Sequence, residues 1–116
     1  MASESSDDQP ITRQSLAAMH GPVVVEFGAA WCGICRGFAP QMQQALEKFP
    51  TVRHIKVEDG KGKPLGRFFG VTVWPTFIFL RDGQMQQQLV RPSRPDVERA
   101  LERIARSDVS QTSTQA

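Results

Sequence analysis

The sequence predicts an α/β fold, because strand and helix signals alternate along its 116 residues and its cysteines lie where a strand gives way to a helix. This length is typical of one domain. A hydrophobic content of 40% and a charged content of 22% are those of a globular protein. We assign residues 11–106 to the domain and expect disordered polar tails at 1–10 and 107–116.

The first half of the domain contains a strand, a helix and a second strand. Ile11–Met19 has helical spacing and stops at Gly21-Pro22, and Pro22–Phe27 is a β-branched run typical of a strand covered on both faces. A helix with a kink at Pro40 follows, and Val52–Val57 is the second strand, which predicts parallel pairing through a right-handed crossover. The apolar stripe of this helix is Phe38, Met42, Ala45, Leu46 and Phe49.

The second half has different connections. Pro64–Phe69 is a short helical segment stopped by Gly70. Asp82-Gly83 is a hairpin turn between strands at Thr76–Leu80 and Met85–Val90, which predicts an antiparallel pair. A last helix begins at Ser93, Pro95 and Asp96 and has a core face of Val97, Leu101 and Ile104.

The only two cysteines, Cys32 and Cys35, are separated by Gly33 and Ile34. Thiols at this spacing can close a disulfide across one turn, and a helix start favours the thiolate of the first. The pattern predicts a redox pair in which one thiol attacks and the other resolves. Two alternatives stay open, an inert core pair and half of a metal site. His20 and His54 do not complete a common zinc spacing, so we expect no metal and no cofactor besides a Cys32–Cys35 disulfide.

Composition excludes several other function classes. The net charge of +2 is too balanced to indicate nucleic-acid binding, and Asp59–Lys63 lacks the frame of a phosphate-binding loop. No apolar run approaches the roughly 20 residues that span a bilayer. Residues 1–10 are acidic and Ser-rich and do not resemble a secretory signal, so we expect a cytoplasmic protein without a membrane partner.

Three separated motifs, Val25–Arg36, Ala39-Pro40 and Gly70–Phe77, resemble those of the thioredoxin family, and the resemblance covers about residues 11–106. It implies a mixed central sheet with helices on both faces. It also implies a monomeric protein-disulfide reductase that works through a mixed disulfide. The implied partners are proteins with disulfides and a thioredoxin-reductase-like or other thiol reductant.

The resemblance also implies roles for the residues around the cysteines. Cys32 is expected to be the exposed nucleophile and Cys35 the more buried resolving thiol. Gly33 and Ile34 shape the turn between them, and Trp31 shields the pair from solvent. A core position for Trp31 is an equally reasonable interpretation from the residue type alone.

Trp74-Pro75 is expected to form the substrate groove. By resemblance, Pro75 is cis and packs against the cysteines, and the backbone of Trp74 pairs with an extended substrate segment. The alternative is an ordinary strand start, where proline is tolerated.

Glu26 is a carboxylate inside an apolar strand, which predicts burial. Burial suits a proton acceptor for Cys35. The family usually has Asp here and a Lys on the next strand, which Lys56 matches. A purely structural Glu26–Lys56 ion pair is the alternative.

Three single positions and one loop depart from the family pattern. Ile34 stands where the family usually has Pro, and Gly28 stands where Trp is common. Trp74 replaces a small or β-branched residue. Arg91-Pro92 occupies a loop that usually has Gly and a small residue. The changed loop leaves a second function class open, a binding module or co-chaperone with incidental thiols.

Overall fold

The computed structural model describes residues 11–106, so the tails expected at 1–10 and 107–116 lie outside the described residues. The elements in this range, in chain order, are α1 (Arg13–Ala17), β1 (Pro22–Gly28), α2 (Gly33–Glu47), β2 (Arg53–Glu58), α3 (Pro64–Phe68), β3 (Thr76–Arg81), β4 (Gln84–Val90) and α4 (Arg94–Ala105).

The strands form one mixed sheet in the order β2-β1-β3-β4. β1 runs parallel to β2 and antiparallel to β3, and β3 runs antiparallel to β4. Both predicted pairings are therefore confirmed. β1 lies between two neighbours, and Val23 to Phe27 are all buried, as the unbroken apolar run predicts.

Helices cover both faces of the sheet, as the resemblance implies. Side chains alternate along each strand, so Val24 and Phe77 face α2 and α4 while Val25 and Ile78 face α1 and α3. The predicted stripe of α2 and core face of α4 pack in the first layer. The second layer contains Leu16 of α1 and Leu65 of α3.

Local sequence signals determine where the helices begin. At the start of α1, Thr12 and Ser15 form a capping box. At the start of α4, the Ser93 hydroxyl accepts a hydrogen bond of 3.3 Å from the backbone N–H of Asp96. Pro40 lies inside α2, which stays continuous from Gly33 to Glu47. Within residues 11–106 no helix has the length and apolarity needed to cross a bilayer.

The hairpin turn is joined to the start of β1. The Asp82 N–H donates to the Gly21 carbonyl at 3.0 Å, and the Gly21 N–H donates to Asp82 Oδ1 at 2.8 Å. Gly83 has φ +81°, and a Cβ there would lie 2.1 Å from the carbonyl oxygen of Ala17. Only glycine fits this close approach to the end of α1.

Candidate active site

Cys32 and Cys35 lie where the carboxyl end of β1 leads into α2. Cys32 is the N-cap of α2, and its Sγ accepts a hydrogen bond from the backbone N–H of Cys35 at 3.2 Å. An N-cap acceptor satisfies one of the unpaired donors at the helix start, and a thiolate does so better than a thiol because it carries a full negative charge. Both cysteines are free thiols.

The expectation of an exposed Cys32 is wrong. Cys32 is 7% exposed and Cys35 is 9% exposed, so the exposed fractions of the two residues do not separate them. The reason is that Ala29 and Trp74 pack against both cysteines and form a small apolar cluster beside the main core. What separates the two thiols is the surroundings of their sulfur atoms, because a hydrogen bond is the largest effect on the pKa of Cys32 and desolvation is the largest effect on the pKa of Cys35.

The pKa of Cys32 is lowered from its ordinary value. The Cys35 thiol donates a hydrogen bond to the Cys32 sulfur, which outweighs the opposing effect of burial. The backbone N–H groups of Cys35 and Ile34 and the positive charge of Arg91 lower it further. Cys32 is therefore the thiol suited to nucleophilic attack.

Burial raises the pKa of Cys35 to about 11. Its hydrogen bond to Cys32 and the negative charges of Cys32 and Glu26 act in the same direction. Cys35 stays protonated until a base removes its proton. Gly28 leaves room for its sulfur, since a Cβ on Gly28 would lie 2.8 Å from Cys35 Sγ.

Two tryptophans form one wall beside the cysteines. Trp31 is 71% exposed, so the interpretation of Trp31 as a core residue is wrong. Its ring meets Trp74 edge-on, with centroids 5.1 Å apart. The Trp74 indole N–H donates to Asp59 Oδ2 at 2.8 Å, which fixes the ring orientation. Asp59 fits there because it lies against Gly66, where a side chain would clash with its carboxylate.

The Trp74-Pro75 peptide bond is cis, as the resemblance implies, and Pro75 is buried. On the other side of Cys32, Gly33 and Ile34 are exposed, so Ile34 places an apolar side chain on the surface beside the reactive thiol. Together these residues surround Cys32 with a mainly apolar rim.

Glu26 is buried in β1, as its position in the apolar run predicts. Its Oε1 lies 2.8 Å from Nε2 of His54 on β2. The expectation that Glu26 forms an ion pair with Lys56 is wrong. Lys56 is opposite Glu26 in the strand register, but its side chain is exposed, and the partner of Glu26 is His54. The short imidazole reaches a buried carboxylate, whereas the long lysine side chain leaves its ammonium group in water.

A cavity of about 430 Å³ connects the acid to the resolving thiol. Glu26, Cys35 and Lys56 line it together with residues at the start of α2 and the end of β2. Its lining is mainly apolar but includes charged side chains, and it has space for a water molecule. The structure therefore brings together three of the four residues expected to be catalytic, and Cys32 lies one helical turn from Cys35.

Sequence reasoning missed three contacts at this site. His54 is two residues before Lys56, so the two side chains lie on the same face of the sheet. Glu26 is on that face as well, and this periodicity was present in the sequence. Arg91 donates from Nε to the Trp74 carbonyl at 2.7 Å, and Asp59 holds the Trp74 indole. Neither of these two contacts leaves a local sequence pattern.

No group of three or more metal-binding side chains occurs among residues 11–106. The interpretation of the cysteines as half of a metal site therefore lacks the other ligands within the described part of the chain.

Comparisons with known proteins agree with this geometry. The sequence profile of the Thioredoxin family matches residues 8–103. Thioredoxin Asp f 28 of Aspergillus fumigatus is 34% identical over 99 residues, which cover 84% of this chain and 91% of that protein. A thioredoxin H-type of Ricinus communis is 32% identical over 81 residues, which cover 70% of this chain and 69% of that protein. The reduced form of thioredoxin 2 from Pseudomonas aeruginosa superposes with a TM-score of 0.73 at 45% identity, covering 82% of this chain and 89% of that one.

Proposed function

Because this chain belongs to the thioredoxin family and is a thiol–disulfide oxidoreductase, we propose that it reduces protein disulfides with Cys32 as nucleophile and Cys35 as resolving thiol. The observation that carries the assignment of roles is the hydrogen bond from the Cys35 N–H to Cys32 Sγ at the helix start. It favours the thiolate of Cys32, whereas at Cys35 a backbone hydrogen bond from Ala29 acts in the same direction but is outweighed by burial.

In the first step, the Cys32 thiolate attacks one sulfur of the substrate disulfide. A bond forms between Cys32 and that sulfur, and the other substrate sulfur leaves as a thiolate that takes a proton from water. The lowered pKa of Cys32 keeps part of this thiol ionised below the pH at which an ordinary cysteine ionises.

In the second step, Cys35 gives up its proton and attacks Cys32 Sγ. The second substrate thiolate leaves, and the two electrons of the dithiol have passed to the substrate while Cys32 and Cys35 form a disulfide. Since burial raises the pKa of the Cys35 thiol, this step needs a proton acceptor. Glu26 is the acceptor, directly or through a water in the cavity that it shares with Cys35.

Substrate binding involves the rim. The backbone of Trp74 pairs with an extended segment of the substrate, and Trp31, Gly33, Ile34 and Pro75 form the surface against which that segment lies. The apolar side chains of Trp31 and Ile34 are exposed, which supports this role.

A thiol reductant of the thioredoxin-reductase type returns the disulfide to the dithiol, so the protein needs no bound cofactor for turnover. We also propose that it acts as a monomer in the cytoplasm, where reducing conditions keep a Cys-x-x-Cys pair available for catalysis.

Catalysed reduction of insulin by dithiothreitol tests this function. We expect the wild-type protein to accelerate insulin precipitation, and Cys32→Ser to leave only the uncatalysed rate. Arg99→Gln, on the outer face of α4, is the matched control and should behave as wild type. If the wild type does not accelerate the reaction, the reductase assignment fails and the binding-module alternative is favoured.

A further inference from the structure

Arg91 directly follows β4 and contacts both residues of the cis-proline segment. Its backbone N–H donates to the Pro75 carbonyl at 2.9 Å, and its Nε donates to the Trp74 carbonyl at 2.7 Å. Its φ of +46° lies in the left-handed region, which a residue other than glycine seldom adopts. The guanidinium group is therefore anchored beside the groove, although the residue is exposed.

Most of the hydrogen-bonding capacity of this guanidinium group is unused. Only the Nε–H is bound, and the N–H groups of both terminal nitrogens have no partner among residues 11–106. Arg94 and Arg99 of α4 and its C-cap residue Arg106 differ, because each pairs with a carboxylate of that helix.

The charge of Arg91 acts at the reacting sulfur, since it contributes to the lowered pKa of Cys32. A second arginine follows Cys35 directly in the chain. Arg36, in the first turn of α2, donates from Nη1 to the Ala30 carbonyl at 2.8 Å and has no carboxylate partner within the described range. Two anchored and exposed cations therefore lie near the cysteines, and of these Arg91 is the one that acts on Cys32.

We propose that Arg91 binds an acidic side chain next to the disulfide of the substrate protein, and that the enzyme therefore prefers acidic extended segments. The proposal rests on the proposed function, because it concerns the substrate of that reaction. A guanidinium group recognises a carboxylate through two parallel hydrogen bonds, and opposite charges also speed the encounter. Arg91 is suited to this because it is held on the same backbone segment that pairs with the substrate.

Peptide substrates test the preference. Three peptides share one intramolecular disulfide and differ only in the two flanking residues, which are Glu, Gln or Lys. We expect the wild type to reduce the Glu peptide about fivefold faster in kcat/KM than the Gln peptide at low salt, and the Lys peptide more slowly than both. The Glu-to-Gln ratio should fall towards one in Arg91→Gln and in 0.5 M salt, where such contacts are screened.

The ratio is the informative quantity, because Arg91→Gln also raises the pKa of Cys32 and slows the reaction with every peptide. Arg91→Lys keeps the charge and should keep part of the preference. Arg99→Gln is the matched control and should keep all of it. Equal rates for the three peptides in the wild type would overturn the proposal while leaving the reductase function intact.

Alkylation of Cys32 gives a second measurement that does not depend on disulfide reduction. The ratio of the rate with iodoacetate, an anion, to the rate with neutral iodoacetamide should fall severalfold in Arg91→Gln and be unchanged in Arg99→Gln. An unchanged ratio in Arg91→Gln would overturn the proposal. If the ratio falls but no peptide is reduced, the anion site is supported and the reductase function fails.

Discussion

The Nε2 atom of His54 lies 2.8 Å from Oε1 of Glu26, and this contact links a partly buried imidazole to a buried carboxylate. An ionised carboxylate only accepts hydrogen bonds, so Nε2 carries the hydrogen in that state. A buried carboxylate without such a donor would be costly, and its orientation would not be fixed. His54 is therefore a positioning residue for the acid that faces Cys35.

Removing the His54 side-chain donor should slow resolution of the mixed disulfide. We expect His54→Leu to slow that step about tenfold and to change its pH profile, because Glu26 loses its orientation. His54→Gln keeps a donor and should restore most of the rate. Rapid-mixing measurements of the decay of the mixed disulfide check this, with Arg99→Gln as control. A wild-type rate and pH profile in His54→Leu would show that the contact is only structural.

Glu26→Gln should slow the same step about a hundredfold at neutral pH, because the amide cannot accept a proton, while the first attack by Cys32 is nearly unchanged. The deficit should shrink as the pH rises, since burial raises the pKa of Cys35 and a high pH ionises this thiol without an acceptor. The free energy of unfolding should fall little, because the amide keeps the volume of the side chain. A large loss of stability with normal turnover would indicate a structural Glu26.

Cys32 should react with iodoacetamide much faster than Cys35 at pH 7. A thiol with a pKa of about 11 is ionised in only ~1 of 10⁴ molecules at that pH, and the thiolate is the reacting form. The rate at Cys32 should reach its plateau at a lower pH than that of a free cysteine. Mass mapping of the labelled peptides measures both sites, and earlier labelling of Cys35 would reverse the assigned roles.

Cys35→Ser should accumulate stable mixed disulfides with substrates through Cys32, because only the resolving thiol releases them. Cys32→Ser should accumulate none. Non-reducing electrophoresis of each variant after incubation with oxidised insulin makes the comparison. Equal trapping by the two variants would favour incidental thiols and the binding-module function.

The reduction potential should be less negative than the about −270 mV of thioredoxin. Arg91 and the backbone donors stabilise the Cys32 thiolate, which favours the reduced form and raises the potential. Ile34→Pro, which introduces the residue usual in the family, should lower it. Titration against glutathione measures both proteins, and a wild-type value at or below that of thioredoxin would contradict this prediction.

The sequence predicts those features that depend on near neighbours. The hairpin at Asp82-Gly83 and the cap at Ser93 follow from turn and capping chemistry over a few residues. The position of Cys32 at the start of α2 follows from the strand before it and the apolar stripe after it. The cis bond before Pro75 was accessible only through the family resemblance, because proline is also common at an ordinary strand start.

Contacts between distant residues were harder to predict. Glu26 and His54 are separated by 28 positions, and their contact depends on the register of two strands as well as on side-chain length. Similarly, the burial of Cys32 depends on Trp74, which lies on the other side of the site. A pattern read along the chain contains neither the register nor this packing.

The junction between the hairpin turn and Gly21 has a consequence for motion in the native state. α1 has five residues, too few to stay helical alone, so its order depends on Leu16 in the core and on the packing of Ala17 against Gly83. These contacts lie at the opposite end of β1 from Cys32. α1 is therefore a unit that can open by itself, and amide hydrogens of Arg13–Ala17 should exchange with solvent long before those of β1 while the dithiol stays competent.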